Sequence, residues 1–198
     1  SGDRKIIGNT TPRYTYSFNL GANWNNIFIS AFLQGVGKQD WWPGTDNALF
    51  WGQYNRPYNN IPKSMLGNIW SEDNPDAYFP RYRGYVALQS SRELAVTQTR
   101  YLQNVAYIRL KNLQVGYNLP KRLVSSAGMQ NARIYMSAEN LWGWSPLYKI
   151  TKNFDFGSIY GTDIEQANAV SSSGIANGSQ VYNYPIMKSI SFGVSVTF

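Results

Sequence analysis

The chain has 198 residues, enough for one sizeable domain or a part of a larger one, and contains no cysteine and no histidine, which excludes disulfides, thiolate metal sites and the commonest general base. Aromatic residues make up 16% and charged residues only 15%, yet the mean hydropathy is −0.39, so the polarity comes from Asn, Ser, Gln, Thr, Tyr and Gly rather than from ions. The net charge is +7, but Lys and Arg never run beyond pairs such as Arg4-Lys5 and Lys121-Arg122, so no nucleic-acid surface is expected and the basic pI reflects a shortage of carboxylates.

No segment approaches the roughly 18 apolar residues of a membrane-crossing helix, so a bilayer would have to be crossed by strands. Ser1 opens a polar SGDRK segment with no apolar signal-peptide region, and further sequence upstream is expected.

Strands are expected at about 12–24, 26–36, 105–119, 132–141 and 188–198. In the first, Tyr14, Tyr16, Phe18, Leu20, Ala22 and Trp24 share one face, while Arg13, Thr15, Ser17, Asn19, Gly21 and Asn23 share the other. Aromatic residues at both ends of an apolar band suit the two interfaces of a membrane. A short turn at 23–26 leads back into a second strand, where Ile27, Ile29, Ala31 and Leu33 continue the apolar face and Phe28 and Phe32 are large inward residues.

From about 36 to 104 the period of two disappears. This stretch holds Trp41, Trp42, Trp51 and Trp70, several tyrosines and five prolines, and it reads as a long loop. Ser90-x-x-Glu93 has the spacing of a capping box.

The third strand region changes parity at Lys111-Asn112, after Ile108 and Leu110 and before Leu113, Val115, Tyr117 and Leu119, which implies a bulge. Pro120 ends it because proline cannot donate to a ladder. A polar connection at 121–131 precedes the fourth strand, where Ile134, Met136 and Ala138 alternate with Arg133, Tyr135, Ser137 and Glu139. A second aperiodic stretch from 142 to about 187 contains Trp142, Trp144, Tyr148 and a second capping-box spacing, Thr162-x-x-Glu165.

The last strand alternates without exception: Ile190, Phe192, Val194, Val196 and Phe198 against Ser189, Ser191, Gly193, Ser195 and Thr197. A soluble sandwich strand shows the same alternation, so the pattern of this strand alone leaves the solvent open. The connections run short, long, medium, long, so both long ones fall on the same side, which is the asymmetry of an outer-membrane β-barrel.

The run YLQNVAYIRLKNLQVGYNLPKRL followed by ARIYMSAENLWGWSPLY resembles the C-terminal region of the SusC/RagA family of TonB-dependent outer-membrane transporters of the Bacteroidetes. Tyr107, Arg109 to Asn112, Gly116-Tyr117, Leu119-Pro120 and Asn140-Leu141 carry that likeness. The opening and terminal strands resemble the family in the same order, while the long loops match poorly. The loop that in many members holds a DPE-like triplet has Thr162-Asp163-Ile164-Glu165 here, without the proline.

The resemblance implies an all-β chain: five antiparallel strands forming the C-terminal section of a large, 22-stranded transmembrane barrel with two long extracellular loops. The plug and the remaining strands would lie outside this chain, since five strands leave two open edges in lipid. It implies no enzyme, location in the bacterial outer membrane, and import of glycans or oligosaccharides. The implied partners are the rest of the barrel and its plug, a SusD-like lipoprotein cap, the TonB complex acting through the missing N-terminal region, and the lipid bilayer. Alternatives are import of peptides, a scaffold role in an outer-membrane complex, and a soluble carbohydrate-binding β-sandwich.

Within that frame Trp41, Trp42, Trp51, Trp70 and Tyr148 are candidates for contact with ligand or lid, although loop aromatics most often order their own loop. Trp142 and Trp144 are expected at the interface or the loop base. Arg13, Arg133 and Glu139 are candidate lumen-facing residues, with cross-strand pairing or plug contact as the plainer role. Phe192, Val194, Val196 and Phe198 resemble the C-terminal signal by which outer-membrane barrels reach their assembly machinery. No cofactor is expected; Asp155, Asp163 and Glu165 are a weak extracellular calcium candidate without EF-hand spacing.

Overall fold

The computed structural model describes residues 5–45, 47–89, 92–153, 155–159 and 186–198. Among these, the strands in chain order are β1 (Thr15–Trp24), β2 (Ile27–Val36), β3 (Asp40–Trp41), β4 (Gln103–Asn104), β5 (Tyr107–Asn118), β6 (Asn131–Trp144) and β7 (Ser189–Thr197). Three short α-helices accompany them, α1 (Ala48–Trp51), α2 (Lys63–Leu66) and α3 (Lys121–Ser126). The chain divides into two units. One comprises residues 14–37, 107–144 and 186–198, and the other residues 1–13, 38–106 and 145–185.

The first unit is an antiparallel sheet in the order β1-β2-β5-β6-β7, with β1 and β7 at its edges. Asn25 and Asn26 join β1 to β2 with φ of 45° and 68°. A two-residue hairpin turn whose twist matches the strands needs both residues in the left-handed region, and asparagine tolerates it. That turn sets Trp24 opposite Ile27 and fixes the register of every later pair.

The register draws the apolar parity of each strand into continuous rows across the sheet. Trp24, Ile27, Tyr117, Ile134 and Val194 form the row nearest the turn; Leu20, Ala31, Leu113, Ala138 and Ile190 form the middle one. Toward the other end Phe18, Leu33, Leu110 and Trp142 align, then Tyr16, Gly35, Ile108 and Trp144. Aromatic rings therefore mark both ends of a band whose centre is aliphatic. This face is uncovered: Leu20 is 60% exposed and Phe192 81%. A β-sandwich would pack such a face on a second sheet, and no described element covers it, which counts against the sandwich alternative.

The parity change expected at 111–112 is a register shift in which β5 carries Lys111 as an extra residue against β2. The same shift on the β6 side skips Asn140 and Leu141, and Asn140 takes φ 52°. β6 thus continues to Trp144 rather than ending at 141, because asparagine absorbs the left-handed kink and lets the strand resume with Trp142 and Trp144 back on the apolar face. β1 begins at Thr15, so Arg13 stands outside the strand, its N–H donating to the Lys38 carbonyl at 2.9 Å.

The opposite face is polar but not uniformly small. Phe28 lies over Gly116 and Tyr135 over Gly193, where an added Cβ would meet either ring at 2.4 Å. These glycines are seats for rings lying flat along the sheet. Replacing Gly116 with valine is expected to cost about 1–3 kcal/mol through overpacking, since the Ile134 carbonyl, 2.8 Å from that Cβ, is backbone and cannot swing away. The urea midpoint of the detergent-solubilised protein measures the loss, and Phe28→Ala should restore only part of it.

α3 fills the connection between β5 and β6. It starts after Pro120 and closes on Gly128 at φ 73°, with Gly128 N–H donating to Ser125 O and Met129 N–H to Val124 O. That pair of bonds is a Schellman closure, which satisfies carbonyls the helix end leaves open.

Candidate functional site

The second unit gathers the two aperiodic stretches around one aromatic core. Trp41, Phe50, Trp51, Tyr54, Met65, Phe79, Leu88, Leu94, Tyr101 and Val105 come from the first, Leu147 and Ile159 from the second. Trp51 is 0% exposed and meets Phe50, Phe79 and Tyr101 with ring centroids at 4.9, 6.4 and 5.3 Å, all edge-on. Edge-to-face contacts suit the ring quadrupoles and add to the burial itself.

With little regular secondary structure, the backbone here depends on side-chain amides for its hydrogen bonds. Asn47 caps α1 by accepting from the Phe50 N–H at 3.0 Å. The Trp51 indole N–H donates to the carbonyls of Pro43 and Gly44, each at 3.1 Å. Asn55 donates to Thr45 O and Gln103 to the Tyr78 hydroxyl. Asn153 reaches across from the second stretch to Leu49 O at 3.0 Å. This accounts for the Asn- and Gln-rich polarity of the composition: those amides hold an irregular backbone together.

Buried phenols give the unit a pH limit. Burial is the main cause raising the Tyr54 hydroxyl far above the ordinary 10.0, with Tyr101 and Tyr82 adding to it, and that hydroxyl donates to Pro80 O. Tyr78 and Tyr101 are raised chiefly by burial, against the opposing effects of Gln103 and of Arg100 respectively. A phenol whose folded value is raised favours folding fully below pH 10, and that contribution is lost as pH climbs through the folded value. Alkaline titration at 295 nm should therefore show a late step coincident with loss of tryptophan fluorescence. Tyr54→Phe should move that late step upward.

The expected contact residues divide sharply. Trp41 (5% exposed) and Trp51 are interior, so neither offers a ring face to a ligand. Trp42 is half-buried against Trp51, Tyr148 half-buried against Phe156, and Trp70 half-buried beneath the Arg81 guanidinium at 5.8 Å. Among the described residues of this unit the most exposed aromatic is Tyr58 (79%), and Tyr85 is exposed as well (37%). Tyr58 lines a hollow of about 580 Å³ with Thr45, Arg56, Tyr85, Leu88 and Gln89. Two further hollows share Pro80, Arg81, Arg83, Glu93 and Leu94.

On the polar face of the sheet, Arg133 lies 5.9 Å over both the Phe28 and Tyr135 rings, and Glu139 accepts from the Ser189 hydroxyl at 3.2 Å. Arg109, not among the expected residues, is 4% exposed on this face, in register with Gln34 and Gly143. Its signal was present in the parity, since it falls opposite to Ile108 and Leu110. Phe192, Val194 and Val196 lie on the apolar face of edge strand β7, and Phe198 follows it.

Asp155 accepts from the Gly157 N–H at 2.6 Å, while Asp163 and Glu165 lie outside the described residues. So do the spacing Thr162-x-x-Glu165 and Ser90 of the other capping box. Among the described residues no three His, Cys, Asp or Glu gather as a metal cluster.

No family model matches the chain. Over 141 residues, 71% of this chain and 13% of the other, it is 33% identical to TonB-dependent receptor P3 of Formosa agariphila. Over 199 aligned residues, 99% of this chain and 18% of the other, it is 25% identical to TonB-dependent receptor P26 of the same organism. Among solved structures it is similar to the RagAB peptide importer in its closed-closed state, with a TM-score of 0.63 and 25% identity over 98% of this chain and 18% of that one. A structure of the RagAB peptide transporter gives a TM-score of 0.63 at 23% identity, again over 98% and 18%. The chain thus spans less than a fifth of the length of the proteins it matches.

Proposed function

We propose, from the premise that this chain is a SusC/RagA-like segment of a TonB-dependent transporter, that it forms wall and outer loops of an outer-membrane importer. The observation that carries this reading is the uncovered apolar face running in register across all five strands. Lipid is the surrounding that removes the cost of that face, and the polar parity behind it suits an occupied interior. Strand lengths of 10, 10, 12, 14 and 9 residues are those of tilted membrane strands.

Closure of the wall, to the 22 strands the family implies, would come from residues outside this chain, as would a plug responding to TonB. β1 and β7 are the edges at which such neighbours would pair. Both long stretches leave the sheet from the end marked by Val36, Tyr107 and Trp144, and we assign that end to the cell exterior, where a SusD-like lipoprotein would cap the barrel.

For the cargo, the family resemblance implies oligosaccharides. Peptides are favoured by a specific observation: Trp41 and Trp51, which would stack on sugar rings, are interior. The structurally similar RagAB is described as a peptide importer. Deleting the full-length gene and its lipoprotein neighbour, then measuring growth on peptides and on oligosaccharides, tests the reading. TonB-dependent loss of growth on one class supports import and names the class; unchanged growth and uptake on both would favour the scaffold role.

A further inference from the structure

We infer that the two adjoining hollows lined by arginine in the loop unit bind a short acidic peptide, one with carboxylates separated by apolar side chains. This rests on the importer reading and on its peptide class. The hollows measure about 400 and 520 Å³ and adjoin, with Pro80, Arg81, Arg83, Glu93 and Leu94 in both linings.

The charge around them is one-sided. Arg81 and Arg83 line both hollows, Arg92 lines the first and Arg100 the second, all exposed, and among the described residues Glu93 is the only carboxylate in either lining. The nearby acidic residues Glu72, Asp73 and Asp76 line neither hollow. Two of the arginines are committed: Arg100 donates to Ala77 O at 3.0 Å and Tyr78 O at 3.1 Å, and Arg81 lies over Trp70. Arg83 and Arg92 form no ion pair with any described residue. A guanidinium presents a planar fork that matches a carboxylate, and such charge-assisted bonds are about twice as strong as neutral ones.

The floor chooses between anions. Pro80, Val86, Ala87 and Leu94 line the first hollow, and Pro75, Ala77 and Phe79 the second. A uronate or sulfated glycan would lay the C–H face of its ring on an open aromatic ring, but Tyr54, Phe79 and Tyr101 are at most 2% exposed and Trp70 lies beneath Arg81, so no such platform is offered. A peptide meets this floor with aliphatic side chains while its carboxylates reach the rim.

Three fluorescein-labelled or competing probes test the assignment on the detergent-purified full-length receptor with its lipoprotein: the hexapeptide Glu-Val-Glu-Val-Glu-Val, its Gln-Val counterpart, and trigalacturonate. The acidic peptide is expected to bind about tenfold or more tightly than the neutral one at low ionic strength, with the gap closing in 1 M salt. The double substitution Arg83→Gln and Arg92→Gln should weaken the acidic peptide by about tenfold or more and leave the neutral one unchanged, and lysine at both positions should restore part of the loss. Absence of acidic-peptide binding, equal binding of the two peptides, an unaffected glutamine variant, or tighter competition by trigalacturonate would each overturn the inference. Uptake is scored apart: loss of all peptide uptake without TonB tests the importer reading, and an acid-selective loss in the arginine variant tests this one.

Discussion

Replacing Trp51 with alanine in the full-length receptor is expected to unfold the loop unit while leaving the sheet in place. Trp51 is the most enclosed large side chain of that unit, touching Trp42, Phe50, Phe79 and Tyr101. Its truncation removes its apolar burial and leaves a cavity, which costs about 3–5 kcal/mol for a large aromatic residue. It also strips the Pro43 and Gly44 carbonyls of their shared indole donor, and buried acceptors left alone cost about 1–3 kcal/mol more. With so little regular secondary structure, the unit has only the scattered side-chain amide bonds to fall back on. Limited proteolysis should cut between residues 38 and 106 in the variant and not in the wild type, while the sheet keeps its resistance to unfolding in SDS without heating. Trp51→Phe should be far milder, because it keeps the ring in the cluster and loses only the N–H.

The second large effect separates two neighbours on one strand. Leu113 lies in the middle apolar row between Ala31 and Ala138, and Gln114 lies on the polar face between Ser30 and Ser137. Leu113→Arg is expected to cost about 2–4 kcal/mol, the penalty for a cation on the lipid face at the bilayer midplane. Gln114→Arg, one residue along, should be nearly neutral because its side chain enters a polar interior. Urea unfolding in lipid vesicles and the amount of assembled protein in the outer membrane measure both. Equal penalties would mean that the two faces meet the same medium.

The parts of the fold that were legible in the sequence are those where two different media act on alternate residues. Tyr16 to Trp24 and Ile190 to Phe198 could be read face by face because each side chain falls on one side of the sheet or the other. Even the bulge at Lys111 appeared as a change of parity. Its counterpart at Asn140 did not, since a left-handed asparagine leaves no periodic mark, and β6 consequently runs three residues past its expected end.

The loop unit was legible only as aromatic. Trp41 and Trp42 are adjacent and chemically identical, yet the first is buried and the second half-buried. No local pattern encodes that difference, because it is set by contacts with Phe50 and Trp51 further along the chain. The arginine-lined hollows were invisible for the same reason. Trp70, Arg81, Arg92 and Arg100 are spread over thirty-one positions of sequence, and only the fold brings them to two adjoining hollows.

Single-cysteine scanning along β1 and β7, in a receptor freed of any cysteine outside this chain, reports which medium meets each face, since the chain itself contributes no native cysteine. With a nitroxide at residues 17–22 and 189–194 of the receptor in lipid vesicles, collision with oxygen reports contact with acyl chains. High oxygen collision is expected at 18, 20, 22, 190, 192 and 194, and low values at the residues between them. A flat profile, or one in which a water-soluble nickel chelate reaches positions 18, 20, 192 and 194, would contradict lipid contact on that face.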